Sequence, residues 1–345
     1  MLVTSHDVAR AAGVSQPTVS RALRDQRGVS AATRAKVREA ARTLGYVPSQ
    51  AGRALSTRAS RRVGVVSAEL GNPFYPALLE PLHDALEQGG YRVILITDRG
   101  EVPVEIEPLI DGSLDGVLLT TSTLGSTLPH ELGARGLPFG MLNRTVPGVA
   151  GDVCELDNTA CGRLAAEFLV GLGHQHIAAV HGPEDTSTGR QRAAAFVTRL
   201  QELGAPLSEA WVRRGAFAES TGREALSDLF GAAPELPTAV FCGNDVIALG
   251  VCNAAAALGV SVGRDLTVVG VDDIPMAAWP VFDLTTYRTD LQALARTAAR
   301  LLLTRMQRPA LEPRRVTMPP HLVLRGTHAP SPLSIPAPDG SGRRQ

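Results

Sequence analysis

Ten residues able to hold a small polar molecule stand where apolar runs of the chain break off. Asn72, Phe74 and Tyr75 follow the run RRVGVVSAEL, and Thr188 and Arg192 follow QHIAAVHG. Asn244 and Asp245 close TAVFCGND, Asp272 and Asp273 close DLTVVGVDD, and Phe217 lies in RRGAFAES. An arginine, an amide, carboxylates and aromatic rings that converge suit a hydroxyl-rich ligand: the polar groups hydrogen-bond hydroxyls, and the rings cover a sugar's apolar face. A second chemistry lies at the N-terminus. Residues 1–62 hold twelve Arg or Lys against Asp7, Asp25 and Glu39, a net +9. Because the totals of 34 basic and 34 acidic residues cancel, the rest of the chain carries −9. A basic block on an acidic body is the electrostatic footprint of a nucleic-acid binder, although a solvated basic surface has the same charge count.

The elements that must position the first set alternate between apolar strands and amphipathic helices. RRVGVVSAEL, RVILITD, DGVLLTT and PFGMLN read as strands, with FYPALLEPLHDALEQGGY as a helix. The order then restarts: QHIAAVHG, TAVFCGND and DLTVVGVDD as strands, GRQRAAAFVTRLQELG and VIALGVCNAAAALG as helices. Two rounds of strand, loop and helix predict an α/β body of two doubly wound, Rossmann-like lobes. Ligands bind such sheets at the carboxyl ends of the strands, here in the cleft between lobes. Capping of helices and turns would claim one residue each of Asn244–Asp245 and Asp272–Asp273. His174 in LGHQHI reads as structural, and Asp157–Asn158 as a turn or interlobe feature.

The N-terminal sixty residues predict an all-α helix-turn-helix headpiece. Thr4 and Asp7 have capping-box spacing, and HDVARAA puts Val8, Ala11 and Ala12 on one face before Gly13 ends it. Ser15 is the next N-cap, with Gln16 and Pro17 in the first turn and Val19, Ala22 and Leu23 buried. Ser30 opens a third helix with Val37, Ala40, Ala41 and Leu44 inward and Gly45 as terminator. Two short helices with a tight turn, crossed by a third, place the N-terminal end of the second helix in a major groove, its free amides toward phosphates.

DVARAAGVSQPTVSRAL, VSAATRAKVREAARTLGYVPS and AGRAL, a gapless run from Thr4 to Leu55, resemble the headpiece of the LacI family of bacterial transcription regulators. GNPFY, ELDN, LGHQHIAAVHGP, RAAAF, FCGNDVIALG, VGVDD, LTTYRTD and LVLRGT extend the resemblance to about residue 328. It implies a headpiece over residues 1–47, a hinge helix and linker over 48–61, and a periplasmic-binding-protein-like effector and dimerisation domain over 62–328; the Pro- and Gly-rich stretch 329–345 reads by composition as a disordered tail. It also implies that Gln16, Pro17 and Arg21 read bases, with Arg21 forking onto guanine, Gln16 pairing with adenine and Pro17, which has no donor, limited to apolar contact. Thr4, Ser15, Thr18, Ser20, Ser30 and Thr33 offer hydroxyls to the DNA backbone, with capping as the competing role. In the hinge, Leu55 matches the residue that wedges into a minor-groove step, flanked by Gly52 and Arg53. In the body, Arg192 and Asp272 lead as polar effector contacts, followed by Asn244 and Thr188, with Phe74, Tyr75 and Phe217 as walls.

Taken together, these features predict a sequence-specific DNA-binding regulator, a repressor more than an activator, that meets a pseudo-palindromic operator as a homodimer and responds to a carbohydrate. A nucleobase-responsive regulator of the same family is the alternative, and a sugar-binding transport protein a remoter one. Cys154, Cys161, Cys242 and Cys252 form no CxxC pair or Cys–His ligand spacing, so neither a metal nor another cofactor is expected. A Gly-rich phosphate loop, GxSxG and a metal-spaced His pair are missing, which argues against an enzyme, GPEDTSTGR being too irregular for a P-loop. MLVTSHDVAR lacks the pattern of a signal peptide, and no apolar run approaches the roughly 18 residues of a membrane span. The expected location is the cytoplasm.

Overall fold

The computed structural model describes residues 3–25, 27–47, 59–98, 105–232 and 236–332. The chain divides into two compact units, Met1–Arg61 and Arg62–Gln345.

Among the described residues of the first unit, three helices, α1 (Ser5–Ala12), α2 (Gln16–Leu23) and α3 (Ala31–Thr43), surround a core of small side chains. Asp7 accepts from the Thr4 amide at 3.0 Å, and the Asp7 amide returns a bond to the Thr4 hydroxyl at 3.4 Å, completing the capping box. The Thr4 amide and hydroxyl, both donating to the Asp7 carboxylate, hold it below its ordinary pKa. Gly13 ends α1 at φ +63°, a left-handed conformation that suits glycine. Val8, Ala9, Ala12, Val19, Ala22, Val37 and Ala41 are buried. One expectation is corrected here: Ala11 is exposed and Ala9 is buried in its place. At 100° per residue, positions 8, 9 and 12 share a face that 11 only borders.

Among the described residues, the second unit holds twelve strands in two six-stranded sheets. β1 (Arg62–Ser67), α4 (Phe74–Gln88), β2 (Arg92–Thr97), the short α5 (Glu107–Ile110), β3 (Gly116–Leu119), α6 (Leu128–Ala134), β4 (Phe139–Leu142) and β5 (Asp152–Leu156) come first. Next are α7 (Asn158–Gly171), β6 (Ile177–His181), α8 (Ser187–Glu202), β7 (Val212–Arg214), α9 (Glu219–Ala232), β8 (Ala239–Cys242), α10 (Asp245–Ala257), β9 (Thr267–Asp272) and β10 (Thr285–Arg288). α11 (Leu291–Gln307), β11 (Arg315–Met318) and β12 (His321–Val323) complete it.

The first sheet runs β11-β5-β4-β3-β1-β2 and the second β12-β10-β9-β8-β6-β7. Among the described residues these strands pair in parallel, except β10 with β12. Leaving aside the last-added strand, each sheet has the flavodoxin-like order 2-1-3-4-5, whose switch point lies beside its first strand. The chain passes between lobes after β5, after β10 and between β11 and β12. α11, late in sequence, therefore packs on α4 and on β3, β4 and β5 of the first lobe, while α7 packs on α8 of the second.

Glycines permit the closest helix crossings. A Cβ on Gly222 of α9 would lie 1.9 Å from the Ile247 carbonyl oxygen of α10, and one on Gly250 of α10 would lie 2.0 Å from the Glu219 carbonyl oxygen. The body also runs past residue 328. The Ala329 carbonyl accepts from His174 Nε2 at 3.0 Å and from the Thr267 hydroxyl at 3.1 Å, and the Ser331 amide donates to Leu172 at 2.8 Å. Ala329 to Ser331 are thus part of the body rather than of the tail, because their backbone groups find partners there. Residues 333–345 lie outside the described residues.

Candidate functional site

A cleft lies at the carboxyl ends of both sheets. Asn72, Phe74, Tyr75, Asn143 and Arg144 line it from the first lobe, and Thr188, Arg192, Phe217, Asn244 and Asp272 from the second. All seven residues expected from sequence to face an effector are brought together. Asn143 and Arg144 were missed, although they follow PFGML and obey the same strand-end rule that singled out the others.

Local rules put each side chain in place. Asn72 accepts from the Phe74 amide at 3.1 Å and starts α4, so Phe74 and Tyr75 occupy its first turn, edge to face at 5.3 Å. Thr186 caps α8 through the Gly189 amide at 3.1 Å, which sets Thr188 and Arg192 on one helical face. Arg192 is buried, donates from Nη1 to the Gly243 carbonyl and from Nη2 to Asn158 Oδ1 at 2.8 Å, and its Nε–H has no partner among the described residues. Asp157 caps α7 through the Ala160 amide at 2.8 Å, so this dipeptide is structural at the first passage between lobes. His174 is structural as well, held by Thr238 and Ala329.

The two polar pairs divide their work. Asn244 Oδ1 caps α10 through the Ile247 amide at 3.0 Å, and its side chain also hydrogen-bonds Asp272. Asp245 is wholly buried, accepting from the Ile274 amide at 2.9 Å and the Thr286 hydroxyl at 2.5 Å. Asp273 is tied to Arg325 at 2.6 Å. Asp272 therefore faces the cavity, Asn244 lines it while also capping α10, and Asp245 and Asp273 hold the fold. Asp272 has φ +123° and Asp273 φ +57°. Such backbone strain in two non-glycine residues is tolerated where the surrounding structure over-determines it, and it clusters at functional sites.

In the headpiece, Gln16 and Pro17 fill the first turn of α2 and Arg21 follows one turn later. Pro17 and Arg21 are exposed on the same face, and Arg21 makes no ion pair among the described residues; its Nε donates to the Pro17 carbonyl at 3.4 Å. Gln16 is half-buried and donates to Ser5 at 3.3 Å. Thr4 and Ser30 spend their hydroxyls on capping, and Thr33 bonds Ser30. Ser15 occupies the N-cap position but bonds the Thr18 hydroxyl at 2.8 Å instead of a backbone amide, and Ser20 accepts from Arg24. The hinge residues Gly52, Arg53 and Leu55 lie outside the described residues.

These two constellations have known counterparts. Residues 4–49 match the family described as bacterial regulatory proteins, lacI family, and residues 166–328 match the periplasmic binding protein-like domain. The chain is 33% identical over 327 residues to the HTH-type transcriptional regulator CelR of Thermobifida fusca, covering 92% of this chain and 96% of the relative. The chain belongs to the LacI family. The HTH-type transcriptional repressor CytR of Escherichia coli is 32% identical over 332 residues, with 94% and 96% covered. Among solved structures, a CelR–cellobiose complex matches at TM-score 0.72 and 31% identity, over 94% of this chain and 99% of that one. A lac repressor dimer bound to operator and the anti-inducer ONPF matches at TM-score 0.85 and 27% identity, over 95% and 100%. As a LacI-family member, the protein is a DNA-binding transcriptional regulator.

The electrostatics of the cleft give this LacI-family regulator a pH signature. Burial pushes the Asp272 carboxyl up to about 8, against the pull of the Arg192 guanidinium, and burial pushes Asp245 up to about 6. A carboxyl whose folded pKa exceeds its unfolded one stabilises fully below the unfolded value, 3.8 here, and loses that contribution as pH rises to the folded value. Wild type is therefore expected to lose stability relative to Asp272→Asn between pH 4 and 8, with a constant gap above pH 8. Thermal melts of both proteins from pH 4 to 9 check this; parallel curves throughout would refute it.

Proposed function

We propose that this LacI-family regulator represses transcription from a pseudo-palindromic operator as a homodimer, and that a sugar or sugar derivative in the interlobe cleft controls its operator affinity. The observation that carries the reading is the convergence of Arg192, Asn244, Asp272 and Thr188 with three aromatic side chains in one cavity at the strand ends of both lobes. A carboxyl and an amide, each able to donate and accept, beside a guanidinium match the donors and acceptors of sugar hydroxyls. A ligand touching both lobes binds one relative arrangement of them better than another, and that difference in affinity is all that can shift an allosteric equilibrium. The protein acts in the cytoplasm by binding, with no catalytic step. Ile94 and Leu95 on β2, with Trp279 and Val281 in the second lobe, are large apolar side chains left exposed, and they offer surface to a second copy.

A thermal-shift panel of sugars, sugar phosphates, nucleosides and purines on wild type and Asp272→Ala tests this. At least one sugar is expected to raise the melting temperature of wild type and not of the variant, and to change affinity for an operator selected from random duplexes. If no sugar produces a shift, or if the shift persists in Asp272→Ala, the reading is wrong.

A further inference from the structure

Arg144 stands among the aromatic walls of the cleft. It follows β4 and is 3% exposed. Its Nη2 lies 2.8 and 2.9 Å from the two Glu69 carboxylate oxygens, and its Nη1 donates to the Thr121 carbonyl at 3.5 Å. So held, the guanidinium carbon sits over two rings at once, 5.9 Å from the centroid of Tyr75 in the first lobe and 5.4 Å from that of Phe217 in the second. Phe217 is itself backed by Gly182, where a Cβ would come within 2.2 Å of the ring, so this wall has no room to retreat. Two further bonds cross beside it: Leu124 amide to Asp185 carbonyl at 2.7 Å, and Thr145 amide to Ser187 hydroxyl at 2.9 Å.

A flat heterocyclic base gains most of its affinity in such a cleft by stacking face to face on aromatic rings. Here two of the three aromatic rings, Tyr75 and Phe217, are already shared by a planar cation, and moving that cation would strip a buried arginine of its carboxylate partner. A saturated sugar ring makes no such demand. It needs hydrogen-bond partners, and Asp272, Asn244 and Arg192 supply them with the guanidinium in place.

We propose that Arg144 is a specificity determinant that bars flat nucleobases from the cleft and leaves non-aromatic, hydroxyl-rich molecules as the effector class. The proposal rests on the reading of this cleft as the effector site. Calorimetric titration of wild type and Arg144→Ala with adenine, hypoxanthine, cytidine and the sugar panel tests it, with Arg144→Ser as the second variant should alanine fail to fold. Wild type is expected to bind no base, while the variant gains base affinity at least tenfold. Base binding by wild type as tight as by the variant overturns the proposal, and so does a folded variant that still rejects every base. A variant that gains bases while neither protein binds a sugar leaves the barrier standing and sinks the sugar reading instead.

Discussion

Arg21→Ala is expected to weaken operator binding by about tenfold to a hundredfold, the equivalent of ~1–3 kcal/mol for one lost bidentate base contact. Arg21 is exposed, shares a face of α2 with Pro17, and has no acidic partner among the described residues that would have to be given up on DNA. By contrast, Arg38 is engaged with Asp25 at 2.6 Å and Arg42 with Glu39. A base-reading role and a phosphate-binding role predict different data. Loss of base readout relaxes preference at one operator position and leaves the salt dependence nearly intact. Loss of a phosphate contact weakens all duplexes alike and reduces the salt slope by about one. Competition binding with single-base operator variants, repeated over a salt series, separates them. Equal weakening on operator and random duplex would remove Arg21 from the base-reading set.

Gly250→Val is expected to destabilise the body by about 3 kcal/mol or more, at the upper end of overpacking effects. The added carbon would lie 2.0 Å from the Glu219 carbonyl oxygen, and the neighbouring atoms are backbone, which cannot rotate away as a side-chain tip can. For a unit of this size each kcal/mol lowers the melting temperature by roughly 2–4 °C. Gly231, in α9, is the internal control: nothing lies within 4 Å of a Cβ built there, and Ala is a better helix former than Gly. A drop with Gly250→Val alongside no loss with Gly231→Ala identifies the crossing. Equal melting temperatures for Gly250→Val and wild type would mean that α9 and α10 can separate at little cost.

Which of these features could be read from the chain depends on the range of the interactions that create them. The headpiece was legible almost residue by residue, because its signals are local: Thr4 and Asp7 three apart, Gly13 at a left-handed helix end, Val8 and Ala12 one turn apart. The one slip, Ala11 for Ala9, falls where two adjacent faces of a short helix compete, and packing against the other two helices decides. Seven cleft residues were legible because a doubly wound sheet puts strand ends at its ligand site whatever the side chains are.

The division of labour within Asn244–Asp245 and Asp272–Asp273 was legible only as a choice. It took the Thr286 hydroxyl, the Ile274 amide and Arg325 to show which partner holds the fold. The apparent restart of the pattern also concealed the three passages between lobes. The sequence by itself thus determined the headpiece helices and their caps, seven of the body's strands (β1–β4, β6, β8 and β9), the helices α4, α8 and α10, and the residues at those strand ends, all of which follow from contacts within a few positions. Tertiary structure alone decided that α11 returns to the first lobe, that Ala329 to Ser331 belong to the body, and that Arg144 meets Glu69, 75 positions away, and Phe217 across the cleft. Those outcomes depend on which surfaces the folded chain brings together, and no local spacing encodes them.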